Sequence, residues 1–167
     1  MRTDVLNMIL GTTLGLLTVP FLLVGIASGF LDSWEFAALV FGMPAILCLA
    51  ISVFMVSTFT RTDTKNRVRD REAFVAVGLM YPIAVIVGAL PFWLGGMFVG
   101  PFEDGATLHD MMAGAAYSWF EAMSGYTTTG ATVIDTSTSP NCYDLTVDDD
   151  CIFAQSKGLL LWRSMTQ

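Results

Sequence analysis

Residues 107–132 read TLHDMMAGAAYSWFEAMSGYTTTGAT, and the way this stretch folds decides the architecture around it. Thr107 and Asp110 stand at the N-cap and N3 spacing of a capping box, and Met111, Ala115, Trp119, Ala122 and Met123 recur at helical intervals. A helix is therefore predicted over 107–125, with Gly125 as its stop. Its exit is Thr127-Thr128-Thr129-Gly130-Ala131-Thr132, a polar run with no basic cluster to mark an inner membrane end. Only 10 uncharged residues separate Asp110 from Glu121, and 13 separate Glu121 from Asp135. Crossing a hydrocarbon core of about 30 Å takes roughly 20 apolar residues as helix, so neither piece crosses alone. The segment is expected to enter the membrane and turn back.

Three stretches ahead of it are long enough to cross. Asp4 and Asp32 bracket 27 uncharged residues, Glu35 and Arg61 bracket 25, and Glu72 and Glu103 bracket 30. The whole chain of 167 residues is 54% hydrophobic and 14% charged, with a mean hydropathy of +0.62, which excludes a water-soluble globule and intrinsic disorder alike. The first apolar run continues through Pro20 and Phe21 beyond the length of a secretory h-region, so it is expected to remain as a span. The fold class is thus all-α integral membrane: an N-terminal transmembrane hairpin over 1–60, a loop over 61–71, and a helix, re-entrant loop, helix unit over 72–167. Within that unit the first helix is predicted at 73–98, the pore helix at 107–125, the filter at 127–132, the outer loop at 133–157 and a second helix at 158–167.

Arg61, Lys65, Arg67, Arg69 and Arg71 cluster between the second and third spans, which makes that loop, and with it the N-terminus, cytoplasmic. From Met97 to Lys157 there are nine acidic residues and one base, an imbalance that concentrates cations on the outer side. The Asp148-Asp149-Asp150 run reads as a solvated loop. Cys142 and Cys151 fall in the outer loop, where an oxidising compartment permits a bridge, although spacing does not settle the Cα separation one needs. Cys48 reads as packing inside the second span. No nucleic-acid partner, no covalently bound cofactor and no enzymatic constellation is expected: there is one His, and Ser124 has no partner base.

Irregular backbone at membrane depth is tolerated where protein buries it or where it lines a water-filled path. The backbone carbonyls of an extended Thr127-Thr128-Thr129-Gly130 strand, with threonine hydroxyls beside them, can replace the hydration shell of a dehydrated monovalent cation. Gly130 can take φ > 0 and turn its carbonyl, which β-branched neighbours resist. The C-terminal end of the short helix directs partial negative charge to the same place.

Phe120-Glu121-Ala122-Met123-Ser124-Gly125-Tyr126-Thr127-Thr128-Thr129-Gly130-Ala131-Thr132 resembles the first pore-loop motif of the Trk/Ktr/HKT superfamily of potassium transporters. Leu161-Trp162-Arg163-Ser164-Met165-Thr166-Gln167 is similar to the start of that family's following helix. The two additional N-terminal helices are similar to the Trk H-type arrangement. The resemblance spans residues 72–167 as one of four pore repeats. It implies potassium, sometimes sodium, uptake across a prokaryotic inner membrane, a dimeric full transporter, and gating by cytosolic nucleotide-binding subunits. It places Gly130 at the repeat's filter glycine, with Thr127, Thr128, Thr129 and Ala131 on the flanking carbonyls, and tilts selectivity toward potassium over sodium.

Ser124, Gly125 and Thr132 belong to the filter's support. Glu121, a carboxylate inside a membrane half-helix, is either support behind the filter or a pore-facing attractant, and support is the expectation. Arg163 either pairs with Glu121 or snorkels outward. From Gly158 to Gln167 is ten residues, about 15 Å of helix, so the remaining three repeats are expected in a longer chain, with assembly of four copies as the alternative. A membrane-embedded scaffold without transport activity is the rival from another class.

Overall fold

The computed structural model describes residues 3–59, 70–144 and 150–167, and among them every regular element is helical. Helix α1 runs Thr3–Leu31, α2 Trp34–Ala37, α3 Met43–Phe59, α4 Asp70–Leu94, α5 Leu108–Tyr126 and α6 Lys157–Thr166. Three stretches are long and apolar enough to cross a membrane: Val5–Leu31, Trp34–Thr58 and Asp70–Leu94. Their outward faces carry Leu22, Ile46, Phe54 and Phe74 at 53–80% exposure, a surface suited to lipid rather than to water. Arg61, Lys65, Arg67, Arg69, Asp148 and Asp149 lie outside the described residues; Arg71 is exposed in the first turn of α4.

The second span is one helix with a defect. Between α2 and α3 the backbone widens to a π turn over Ala38–Gly42, with the Met43 N–H bonded to the Ala38 carbonyl. Pro44 follows at once, has no N–H to give Val40, and crowds that carbonyl, so the helix accommodates it by taking in one extra residue.

The helix predicted over 73–98 is α4, and it stops at Leu94. Gly95 and Gly96 end it: Gly96 takes φ +74°, the Gly95 N–H reaches the Pro91 carbonyl at 2.9 Å and the Met97 N–H reaches that of Phe92 at 3.2 Å. That is a glycine C-cap, legible as a Gly-Gly pair, which a reading by charge spacing alone passed over. Met97 and Phe98 consequently leave the helix and are wholly buried in the turn beyond it.

A cluster around Trp162 joins four helices. Its ring stacks on Phe21 at 4.6 Å between centroids and lies 6.1 Å from Phe41, and its Nε1 donates to the Gly88 carbonyl at 2.9 Å. Gly88 must be glycine there, since a Cβ would stand 2.6 Å from a ring carbon of Tyr126 at the end of α5. Helix α6 is also held at its start. Ser156 caps it, and the Asp32 carboxylate, from the turn after α1, accepts the N–H groups of Lys157 at 3.1 Å and Gly158 at 2.8 Å.

The loop between α5 and α6 contains a 3-10 turn at Pro140–Cys142 and a Cys142–Cys151 disulfide with Cα atoms 5.5 Å apart. Buried Gln155 organises it, donating to Ser139 Oγ at 2.9 Å and accepting from Asn141, which also reaches the Gly96 carbonyl at 3.2 Å. The loop is thereby tied to the end of α4.

Trp162→Ala removes this shared anchor, and the expected cost is about 3–5 kcal/mol. Thermal unfolding of the detergent-solubilised protein checks it; a loss below 1 kcal/mol, roughly the size of a surface change, would show that α6 is held elsewhere.

Candidate functional site

Helix α5 begins where its residues dictate. Thr107 caps it, with its hydroxyl accepting from the Asp110 N–H and the Asp110 carboxylate accepting from the Thr107 N–H at 3.0 Å and hydroxyl at 2.7 Å. These hydrogen bonds hold the Asp110 carboxyl below the ordinary carboxylate range. Its large apolar residues are not the ones it buries. Trp119 is 47% exposed, whereas the buried stripe is Gly114, Ser118, Glu121, Ala122, Ser124 and Gly125. Small and polar residues allow helices to approach closely where the surroundings are themselves apolar.

Glu121 is the centre of the arrangement, with its side chain fully shielded. One carboxylate oxygen accepts from Arg163 Nε at 2.6 Å. The other accepts from the Thr132 hydroxyl at 3.1 Å and the Val133 N–H at 3.3 Å. One buried charge thus ties α5 to α6 and to the chain leaving the predicted filter. One turn on, Ser124 Oγ donates to the Ala131 carbonyl at 2.6 Å. Glu121 and Ser124, three apart on one helix face, clamp consecutive residues of the returning chain.

Gly125 does not stop the helix, which continues to Tyr126. Its lack of a side chain instead admits Thr166 of α6, whose Oγ1 would lie 2.8 Å from a Cβ there. The run expected as an extended strand instead turns back at the helix end, with Thr127 at φ −91°, ψ 1° and the reversal on Thr128 at φ +54°, the sole non-glycine residue with positive φ among those described. The Thr128 N–H bonds to the Gly125 carbonyl at 2.8 Å and the Thr129 N–H to that of Ser124 at 3.0 Å, which is a Schellman closure. Glycine usually occupies that left-handed position; a β-branched residue there stores strain on the order of 1–3 kcal/mol.

Thr127, Thr128, Thr129 and Gly130 are exposed, and no hydrogen-bond donor reaches their carbonyls among the described residues. Ala131 differs, since its carbonyl is engaged by Ser124. Gly130 takes φ +71°, and a Cβ there would meet nothing within 4 Å, so glycine is needed for conformation rather than for space. Among the residues singled out from sequence, the structure brings Glu121, Ser124, Ala131, Thr132 and Arg163 into one network and joins Cys142 to Cys151. The structure adds Asp32 and Gln155 to these. Asp32 reads in sequence only as a turn residue, and nothing local marks Gln155.

The chain is thus all-helical where described, with three helices able to cross a membrane and a shorter helix, α5, followed by a threonine-rich reversal. No family model, curated protein or solved structure matches it.

Breaking the ion pair strands a buried charge, so Glu121→Gln or Arg163→Gln alone should each cost about 3–5 kcal/mol, while the double substitution should cost clearly less than the sum. A double-mutant cycle on thermal midpoints measures this, and simple additivity would rule out the coupling. The Asp110 cap carries a pH signature. Because its folded pKa is depressed, its contribution is complete above the unfolded value of about 3.9 and is lost as pH falls through the folded one. The advantage of wild type over Asp110→Ala should therefore fade in acid; an advantage constant down to pH 2, roughly two units below that value, would show that the cap does not depend on charge.

Proposed function

We propose that this chain takes up potassium across a prokaryotic cytoplasmic membrane, contributing one of four pore loops to a selectivity filter. The observation that carries this reading is the run of four exposed residues, Thr127 to Gly130, whose backbone carbonyls no donor reaches among the described residues. Free carbonyls on a fixed loop are the chemistry a dehydrated monovalent cation requires. The C-terminal end of α5 adds its partial negative charge at the same point.

In this reading α5 is a re-entrant pore helix, and α4 and α6 are the two helices flanking it. Glu121 serves as support, since both its oxygens are spent on protein donors. The resemblance of residues 120–132 to the Trk/Ktr/HKT pore motif supplies the ion and the partners: three further pore repeats in a longer chain, a dimer of the full transporter, and a cytosolic ring of nucleotide-binding subunits. The basic residues 61–71 set the N-terminus on the cytoplasmic side.

Potassium and sodium fluxes of the full-length protein and of Gly130→Ser, measured in cells lacking other potassium uptake, test the proposal. A Cβ at this φ costs roughly 1–2 kcal/mol, so discrimination or flux should fall about tenfold or more. A scaffold predicts no cation flux in the unsubstituted protein and no effect of the substitution. Sodium flux at the expense of potassium would assign the chain to a sodium-permeable transporter.

A further inference from the structure

Apart from the turn at Pro140–Cys142, the described chain between α5 and α6 is irregular, yet it buries two polar side chains, Ser139 at 0% and Gln155 at 4% exposure. Gln155 commits both ends of its amide. Its Nε2 donates to Ser139 Oγ at 2.9 Å and to the Cys151 carbonyl at 3.3 Å, while its Oε1 accepts from Asn141 at 3.1 Å. A buried amide satisfied in this way fixes the segments it touches, because displacing any of them strands a donor or an acceptor.

Ser139 is itself part of a closed turn. The Asp135 carbonyl accepts the N–H groups of Thr138 at 3.1 Å and Ser139 at 3.0 Å, and the Thr138 hydroxyl accepts the Asp135 N–H at 3.0 Å. That hydroxyl donates in turn to the Val133 carbonyl at 2.6 Å. Val133 is thereby gripped on both sides, since its N–H already lies on Glu121. It stands three residues beyond Gly130. A path of hydrogen bonds and one closed turn thus runs from Gln155 to the chain that leaves the exposed run of Thr127 to Gly130.

We propose that Gln155 is a positioning residue for ion selection, acting through Ser139, Thr138 and Val133. This rests on the transport reading above. A binding constellation has to be held to within about 0.5 Å of its working geometry. Ser124 and Glu121 hold the returning chain from α5, and the turn over 135–139, braced by Gln155, holds it from the loop. In this scheme neither Gln155 nor Thr138 touches the ion.

Potassium and sodium fluxes of the full-length protein in proteoliposomes, read beside the thermal midpoint, test this. Gln155→Met keeps the length of the side chain and loses the amide, and Thr138→Val keeps the shape and loses the hydroxyl. Each should lower the potassium-to-sodium ratio about three- to tenfold. Because the two act in series, the double variant should fall no further than the lower single one. Should Gln155→Met fail to fold, Ser139→Ala removes only the acceptor and gives the same comparison. Asp110→Ala, which removes the cap at the far end of α5, should lower the midpoint and leave the ratio at its wild-type value. A merely structural Gln155 predicts fluxes of both ions falling together with the folded fraction at an unchanged ratio. That outcome, a multiplicative fall in the double variant, or an equal fall in Asp110→Ala would overturn the inference and leave the transport reading standing. Absence of potassium flux in the unsubstituted protein would overturn both, and that failure is recognisable because no substitution is involved.

Discussion

A carboxylate withdrawn from water has to find its hydrogen bonds inside the protein, and the arrangement around Glu121 follows from that demand. Its side chain is wholly shielded, and three donors come to it from two directions: Arg163 on α6, and Thr132 with Val133 on the chain beyond the reversal. Removing any one partner leaves charge or dipole stranded in a medium that cannot solvate it. The position of α6 relative to α5, and the path of the returning chain, are therefore set together.

The rest of the molecule delivers α6 to that point. Trp162, the residue before Arg163, is buried against Phe21 and Phe41 and bonded to the Gly88 carbonyl, so the guanidinium emerges from a helix whose rotation is already fixed. Asp32 fixes the other end of the same helix by accepting its first amides, and the disulfide and Gln155 hold the loop that leads into it. Against this frame the reversal at Thr127–Gly130 is a short piece of backbone clamped at both ends. Helix closure holds it on one side and Ser124 with Glu121 on the other, which leaves its carbonyls outside the internal hydrogen bonding.

Some of this was legible from residues. The capping box at Thr107 and Asp110 starts α5 where expected, because a local side-chain to backbone exchange needs no tertiary partner. Uncharged runs of membrane length located the three apolar spans. The ends were less well read. Charge positions extend α4 past Leu94, although the Gly95-Gly96 pair marks the stop, and Gly125 reads as a terminator although the left-handed residue is Thr128. A glycine signals that φ > 0 is cheap and does not say whether the chain uses it.

Which segments are apolar enough to span, where the short helix begins, and that a threonine-rich run with one glycine follows it can all be read from the residues alone. These are properties of local composition and of side chains bonding to their own backbone. Which faces are buried depends on helix packing, because in an apolar solvent hydrophobicity no longer separates inside from outside, and closeness of approach selects small residues such as Gly88, Gly125 and Ser118 instead. Packing also sets the partners of Glu121, the capping of α6 by Asp32 across 125 residues, and the strained backbone of Thr128. Each depends on groups far apart in the chain whose mutual satisfaction exists only once the helices have packed.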